Sequence, residues 1–274
     1  MKLGIFAKTF SGTDAAAVLH AVRAAGYSCT QFNMACAGLP AMPDAIPDGV
    51  LRAVAAAAQQ AGVVIAALSG TYNMIHPDPA QRATGQRRLR VMLEAARALG
   101  VPLVTLCTGT RDPEDQWRAH PDNATPEAWA EMRQEMAQAL QHAEAVGVDL
   151  GIEPEQANVV TSAAEAHRLI EELRSARLRV VLDPANLFER ADADDARRIV
   201  ADAVALCGDR IAMAHAKDRR ADGTFATAGT GIVDFPEFIA RLRAAGFDGP
   251  IVTHGLSAAE APGVAAYLRG LGAE

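Results

Sequence analysis

The chain has 274 residues, of which 50% are hydrophobic and 22% charged, with a formal net charge of −7. This length fits a single α/β barrel domain over residues 1–274, and the acidic balance argues against nucleic acid as a partner, because phosphate backbones need basic surface. No apolar run approaches the roughly 18 residues of a membrane span and the first residues lack a signal-peptide pattern, so we expect a cytoplasmic protein with no membrane partner.

Short apolar runs alternate with helix-periodic segments along the whole chain. The predicted strands cover residues 2–7, 28–33, 63–69, 102–107, 148–153, 178–183, 210–216 and 250–254. The predicted helices cover residues 14–25, 48–61, 79–99, 126–146, 162–174, 194–206, 236–245 and 258–271. Apolar, often β-branched runs are typical of strands buried on both faces. Strict alternation predicts a (β/α)8 TIM barrel. The alternative is a doubly wound open sheet, but the glycine-rich loop that such a sheet usually has after an early strand is missing from this sequence.

Polar side chains stand at the ends of the last four predicted strands. Glu153 ends the fifth and Asp183 the sixth, while His215 lies in the seventh and His254 ends the eighth. In a barrel these positions converge at one face, where active sites lie. Taken singly, each residue could be a helix cap, a surface charge or a core histidine. Together they predict ligands for one divalent ion, because burying such groups side by side is costly without a cation.

Several motifs in this region resemble the xylose isomerase-like barrels of sugar isomerases and epimerases. They are Gly151–Pro154 (GIEP), Leu182–Asn186 (LDPAN), Ala214–Asp218 (AHAKD), Gly229–Phe235 (GTGIVDF) and Gly246–Pro250 (GFDGP). The motifs follow one another in the order that the family has, over nearly the whole chain. They are specific for the superfamily and say little about the substrate.

The resemblance implies one divalent metal held by Glu, Asp, His and a second Glu. The first three correspond to Glu153, Asp183 and His215, whereas His254 stands where the second Glu belongs. His254 therefore has three interpretations: a metal ligand, an acid or base beside the metal, or the mark of a site that binds metal weakly or not at all. Replacing a carboxylate by imidazole shifts the preference away from magnesium and towards manganese, cobalt, nickel or zinc. Manganese is the first expectation, and cobalt, nickel, zinc or magnesium are the alternatives.

Four further residues are predicted to contact the substrate: His76 after the third strand, Glu155, Asn186 and Lys217. Three of them have a plainer alternative. His76 could be an ordinary loop histidine, Asn186 could cap the sixth helix, and Lys217 could pair with a neighbouring carboxylate.

Three other side chains are weaker candidates. Arg219, beside Arg220, could neutralise an anionic substrate, but it is expected to be solvated. Trp117, in the loop after the fourth strand, could stack on a sugar, and Trp129 is expected in the core.

The leading hypothesis is a metal-dependent sugar or polyhydroxy-carbonyl isomerase or epimerase that works through an enediolate. Glu153 and His254 would be its catalytic acid and base, and a small sugar-like molecule its partner. A metal-dependent lyase or dehydratase, and a non-catalytic sugar-binding homologue, are the alternatives. The resemblance also implies a homodimer or homotetramer.

Overall fold

A computed structural model describes all 274 residues. Eight parallel strands alternate with eight helices. The barrel strands, first to eighth, are Lys2–Phe6, Cys29–Phe32, Val64–Ser69, Leu103–Leu106, Asp149–Ile152, Leu178–Leu182, Ile211–Ala216 and Pro250–Thr253. The helices α1 to α8 are Ala15–Ala24, Asp48–Ala61, Pro79–Leu99, Pro126–Val146, Ala163–Leu173, Ala193–Cys207, Phe235–Ala244 and Ala261–Gly270.

The sheet closes on itself. The first strand pairs with the eighth in parallel, from Lys2 opposite Pro250 to Ile5 opposite Thr253, and every other strand pairs with its sequence neighbours. The predicted (β/α)8 barrel is thus confirmed, and the open doubly wound sheet is wrong because it would leave these two strands unpaired. No helix of the structure is both long and apolar enough to cross a membrane.

Local sequence explains where the helices begin and end. Six of them start after a side chain whose oxygen accepts a backbone N–H of the first turn; these N-caps are Asp14, Asp78, Thr125, Ser162, Asp192 and Asp234. Helices α2, α3 and α4 end at a left-handed glycine, a common C-terminal cap. Because Asp192 caps α6, Asn186 is free for another role.

A short two-stranded ribbon follows the seventh strand and was not predicted. Asp218–Arg219 pairs antiparallel with Phe225–Ala226. The fully buried carboxylate of Asp218 accepts backbone N–H groups from Arg219, Gly229, Gly231 and Val233. One carboxylate therefore fixes both the ribbon and the loop after it.

Two apolar layers support the barrel. The larger lies between the strands and the surrounding helices, and the smaller fills the barrel interior below its carboxyl-terminal face; the interior layer is formed by Ala67, Leu103, Val181, Met213 and Val252. Successive side chains of a strand point to opposite faces, so the residue two positions further on points inward as well. The interior layer therefore determines which side chains form the next layer above it.

Candidate functional site

The layer above the apolar interior is polar. Asp183, His215 and His254 stand two residues after Val181, Met213 and Val252, respectively, and Glu153 stands two residues after Gly151, whose added Cβ would meet Val181 and Leu103. Period-two alternation thus brings all four side chains inward from the fifth to the eighth strands. One potential ligand atom from each lies within 4.8 Å of those of the others. The structure brings together the four residues that the sequence predicts as ligands.

A continuous set of polar contacts links these side chains. His215 Nδ1 lies 3.2 Å from Glu153 Oε1, and His254 Nε2 lies 2.9 Å from Asp183 Oδ2. The ammonium of Lys217 lies 3.2 Å from Asp183 Oδ2 and donates to Asn186 Oδ1 at 2.7 Å. Asn186 in turn donates to Glu153 Oε1 at 2.7 Å. Asn186 and Lys217 therefore bridge the two carboxylates.

The second ring nitrogen of His215, Nε2, has a partner that the sequence analysis did not predict. His215 Nε2 lies 2.9 Å from Gln31 Oε1, and the Gln31 amide nitrogen donates to Ser69 Oγ and Thr105 Oγ1 at 3.2 and 3.0 Å. With its amide nitrogen occupied as a donor, Gln31 presents its oxygen to the ring. His215 Nε2 must then carry a proton, and Nδ1 faces the two carboxylates.

Burial disfavours every charge in the cluster, so neighbouring charges decide the protonation states. Burial disfavours the imidazolium of His215, but the Glu153 carboxylate beside it raises its pKa above the ordinary value. Burial and the adjacent His215 lower the pKa of His254. Despite burial, the pKa of Glu153 is lowered by His215, and that of Asp183 by Lys217. The cluster thus holds two carboxylates, stabilised by cations close by.

This donor set fits a divalent cation. Two carboxylates and two imidazoles can each offer a ligand atom at close range, and the hydrogen bond from His215 Nε2 to Gln31 leaves Nδ1 directed at the carboxylates. Metal-binding histidines usually donate their other N–H to an oxygen in this way. Without a cation, a proton on His215 compensates the negative charge of the two carboxylates. A cation bound here would compensate that charge instead.

A third carboxylate lies beside the cluster. Glu155 is partly buried and its Oε2 accepts a long hydrogen bond from Cys107 Sγ at 3.6 Å. Burial, reinforced by the charge of Glu153, raises the pKa of Glu155 to about 7. Burial also raises the pKa of the Cys107 thiol, so that sulfur is not a reactive thiolate.

The cluster faces a cavity of about 320 Å³, here called the inner chamber. Its lining contains the side chains that matter for chemistry: Gln31, Glu153, Glu155, Asn186, His215, Lys217 and His254. Asp183 lies behind this surface and is fully buried. Of the four predicted substrate contacts, Glu155, Asn186 and Lys217 line the inner chamber.

A second cavity of about 650 Å³, the outer chamber, adjoins the inner one. His76 lines the outer chamber, where its Nε2 lies 3.1 Å from the carbonyl of Pro113 and its Nδ1 accepts the N–H of Asp78. His76 thereby joins the loops after the third and fourth strands. His76 lies in a long loop, and the sequence pattern does not encode which chamber that loop lines.

The structure differs from the expectations for Arg219 and Trp129. Arg219 is buried rather than solvated, because the ribbon folds it inward and its guanidinium donates to the carbonyls of Ala185, Glu189 and Gly223. Trp129 is only partly buried on α4, where Arg168 stacks on its ring.

A family model described as xylose isomerase-like TIM barrel matches residues 19–271. No curated protein matches the sequence. Among solved structures, the apo form of 3-keto-D-glucoside 4-epimerase from E. coli has a TM-score of 0.78 at 18% identity, covering 98% of this chain and 99% of that one.

Two further solved structures are similar in the same way. A D-psicose 3-epimerase from Clostridium cellulolyticum, crystallised with D-tagatose, gives a TM-score of 0.76 at 16% identity with 100% of both chains covered. A D-allulose 3-epimerase from Methylomonas sp. gives 0.76 at 19% identity, covering 99% of this chain and 98% of that one. At such identities the likeness concerns the fold.

Proposed function

The chain belongs to the xylose isomerase-like TIM barrel family, and from that premise we propose that it is a metal-dependent sugar isomerase or epimerase. The single observation that carries the proposal is the cluster of Glu153, Asp183, His215 and His254, whose ligand atoms lie within 4.8 Å of one another. The names of the structurally similar proteins, which are sugar epimerases, support the substrate class.

The four clustered residues would hold the ion, and manganese is expected first. Imidazole in place of one carboxylate shifts the preference away from magnesium and towards manganese, cobalt, nickel or zinc. When bound, a divalent ion supplies Lewis acidity that stabilises negative charge on a substrate oxygen. The surrounding residues have their own tasks. Lys217 and Asn186 bind hydroxyl groups of the sugar, and Gln31 keeps Nδ1 of His215 directed at the site.

Proton transfer falls to Glu153 and a second group. Glu153 lines the inner chamber as a carboxylate, and it would remove the proton from the carbon next to the sugar carbonyl. His254 has a lowered pKa and is neutral at pH 7, so its imidazole is suited to accept a proton or to bind the metal. Once protonated, Glu153 would return its proton to carbon, and His254 would accept a hydroxyl proton of the substrate and give it back, so that the two form the proposed acid–base pair.

The test measures incorporation of solvent deuterium into the carbon-bound positions of D-fructose, D-psicose and D-tagatose, together with the metal content of the purified protein. We expect Glu153→Gln to abolish exchange while the fold persists. Glu171→Gln, on the exposed face of α5, is the matched control and should retain exchange.

Three results would contradict the proposal. Full exchange in the Glu153→Gln variant would remove the assigned role of Glu153. A product lighter than its substrate by one water would indicate a lyase or dehydratase instead. Metal-free protein with no exchange in any sugar would favour a non-catalytic sugar-binding homologue.

A further inference from the structure

The inner and outer chambers meet along a common wall. Both are lined by Ala41, Met42, Thr71, Gln116 and Trp117, which come from the loops after the second, third and fourth strands. The inner chamber contains the proposed acid–base pair at its base. A molecule that reacts there can therefore extend past this wall into the outer chamber without leaving the protein.

The two chambers differ in size and chemistry. The inner chamber of about 320 Å³ lies at the lower end of the range of roughly 300–1,000 Å³ for small-molecule sites, whereas the outer chamber of about 650 Å³ is twice as large. None of the candidate metal ligands lines the outer chamber. It has room for a bulky group that takes no part in the reaction.

The outer chamber is polar but offers no free cation from lysine or arginine. Its single such residue, Arg88, is held by both carboxylate oxygens of Asp44, at 2.8 and 3.1 Å. Carboxylates of Asp112, Glu114 and Asp115 line the opposite side. This balance disfavours a phosphate or carboxylate group and favours a neutral one rich in hydroxyls.

An exposed aromatic side chain stands where the chambers meet. Trp117 is 51% exposed and lines both chambers. Its backbone is fixed, because the Trp117 N–H donates to Asp115 Oδ1 at 2.9 Å and the loop is anchored at Asp112, which pairs with Arg118. A flat indole in this position is a platform for the apolar face of a sugar ring.

We propose that the outer chamber is a second sugar subsite, so that the substrate is a glycoside or disaccharide with its reacting unit in the inner chamber. The second ring would stack on Trp117 and exchange hydrogen bonds with neutral side chains such as Gln81 and Thr84 of α3. This inference rests on the proposed sugar isomerase or epimerase function and adds the substrate class to it.

The test compares sugars that share one reacting unit. D-fructose is set against two disaccharides that contain it, isomaltulose and lactulose, in the solvent deuterium exchange assay. We expect kcat/KM for at least one disaccharide to exceed that for D-fructose by about tenfold or more, which corresponds to about 1.4 kcal/mol of added binding in the transition state.

Three variants test the location of the second ring. Trp117→Ala should reduce the disaccharide preference roughly fivefold to tenfold, through a higher KM. Thr84→Trp, which fills the outer chamber from α3, should reduce the same preference. Trp129→Phe changes a tryptophan on the outer side of α4 and should leave the preference at the wild-type value.

The outcomes separate the two proposals. Exchange into D-fructose with equal or lower kcat/KM for both disaccharides overturns the second subsite and leaves the proposed function standing. A disaccharide preference that survives both Trp117→Ala and Thr84→Trp also overturns it. Absence of exchange into these three sugars and into D-psicose and D-tagatose overturns the proposed function and the subsite together.

Discussion

Replacing Gln31 by leucine should weaken metal binding without touching any candidate ligand. The substitution removes the oxygen that lies 2.9 Å from His215 Nε2 and the amide that donates to Ser69 and Thr105. The ring of His215 then loses the contact that fixes its orientation. Loss of such an outer partner typically weakens metal affinity 10- to 100-fold, which corresponds to about 1.4–2.7 kcal/mol.

The same substitution should also destabilise the metal-free protein. Leucine leaves the N–H of His215 and two hydroxyls without their partner in a buried place, and an unsatisfied buried polar group costs about 1–3 kcal/mol. The two hydroxyl oxygens lose a donor but their own O–H groups can still donate, so we expect a loss of unfolding free energy of about 2 kcal/mol in urea titrations.

Gln86 offers a matched control. Gln86→Leu removes an amide that donates to the backbone oxygen and Oε2 of Glu135, between α3 and α4 and remote from the cluster. It should reduce stability and leave metal affinity unchanged. Affinity is measured by titrating Mn²⁺ against a fluorescent chelator. A Gln31→Leu variant that binds Mn²⁺ within about twofold of wild type would refute the reasoning.

Three further predictions concern titration and packing. Because the pKa of His215 is raised above its ordinary value of 6.5, its ring is mostly protonated at pH 6.5 without metal. Metal binding should then release at least about half a proton, and the apparent metal affinity should rise with pH. Calorimetry in buffers of different ionisation enthalpy measures this release, and a value near zero would contradict it. Asp218→Asn weakens four backbone hydrogen bonds and should cost about 2–3 kcal/mol in denaturant titrations; a loss below about 0.5 kcal/mol would show that the loop is held otherwise. Gly85→Ala should lower the melting temperature, because the added Cβ would overlap the ring of Tyr72, whereas Gly263→Ala in α8 meets nothing within 4 Å and should raise stability by up to about 1 kcal/mol; equal effects of the two substitutions would contradict this account.

Much of the barrel could be predicted from the sequence because its signals are local. Apolar runs, helix periodicity and terminal glycines each act within a few residues, and the strand and helix bounds differ from prediction by only one to three residues at most ends. The positions of the four clustered side chains could be predicted for a related reason. A polar residue at the end of an apolar strand has one inward direction, fixed by alternation.

The contact between Gln31 and His215 could not be predicted from local sequence. It lies within the second predicted strand, two residues after Cys29, at the level where Ser69 and Thr105 also point inward. An amide in the middle of a predicted strand was the available signal. Its contact with His215 joins the second strand to the seventh across the barrel, and only the closed sheet brings those strands face to face.

Loops hold the side chains that local sequence patterns could not place. The position of Arg219 follows from a ribbon of two residues on each side, too short to leave a periodic pattern. His76 belongs to a loop whose path depends on contacts with another loop, at Pro113. In both cases tertiary contacts, rather than local propensity, determine where the side chain lies.

The link between Gln31 and His215 also bears on the order of events in folding. All four candidate ligands come from the second half of the chain, between Glu153 and His254, whereas Gln31 is 184 positions away from His215 in sequence. A half-barrel emerging late in synthesis could gather the donors, but the orientation of His215 waits until the first strands have docked against the last. Tight metal binding would then be a late step in folding. The rate of metal uptake during refolding would report when the two halves of the barrel dock.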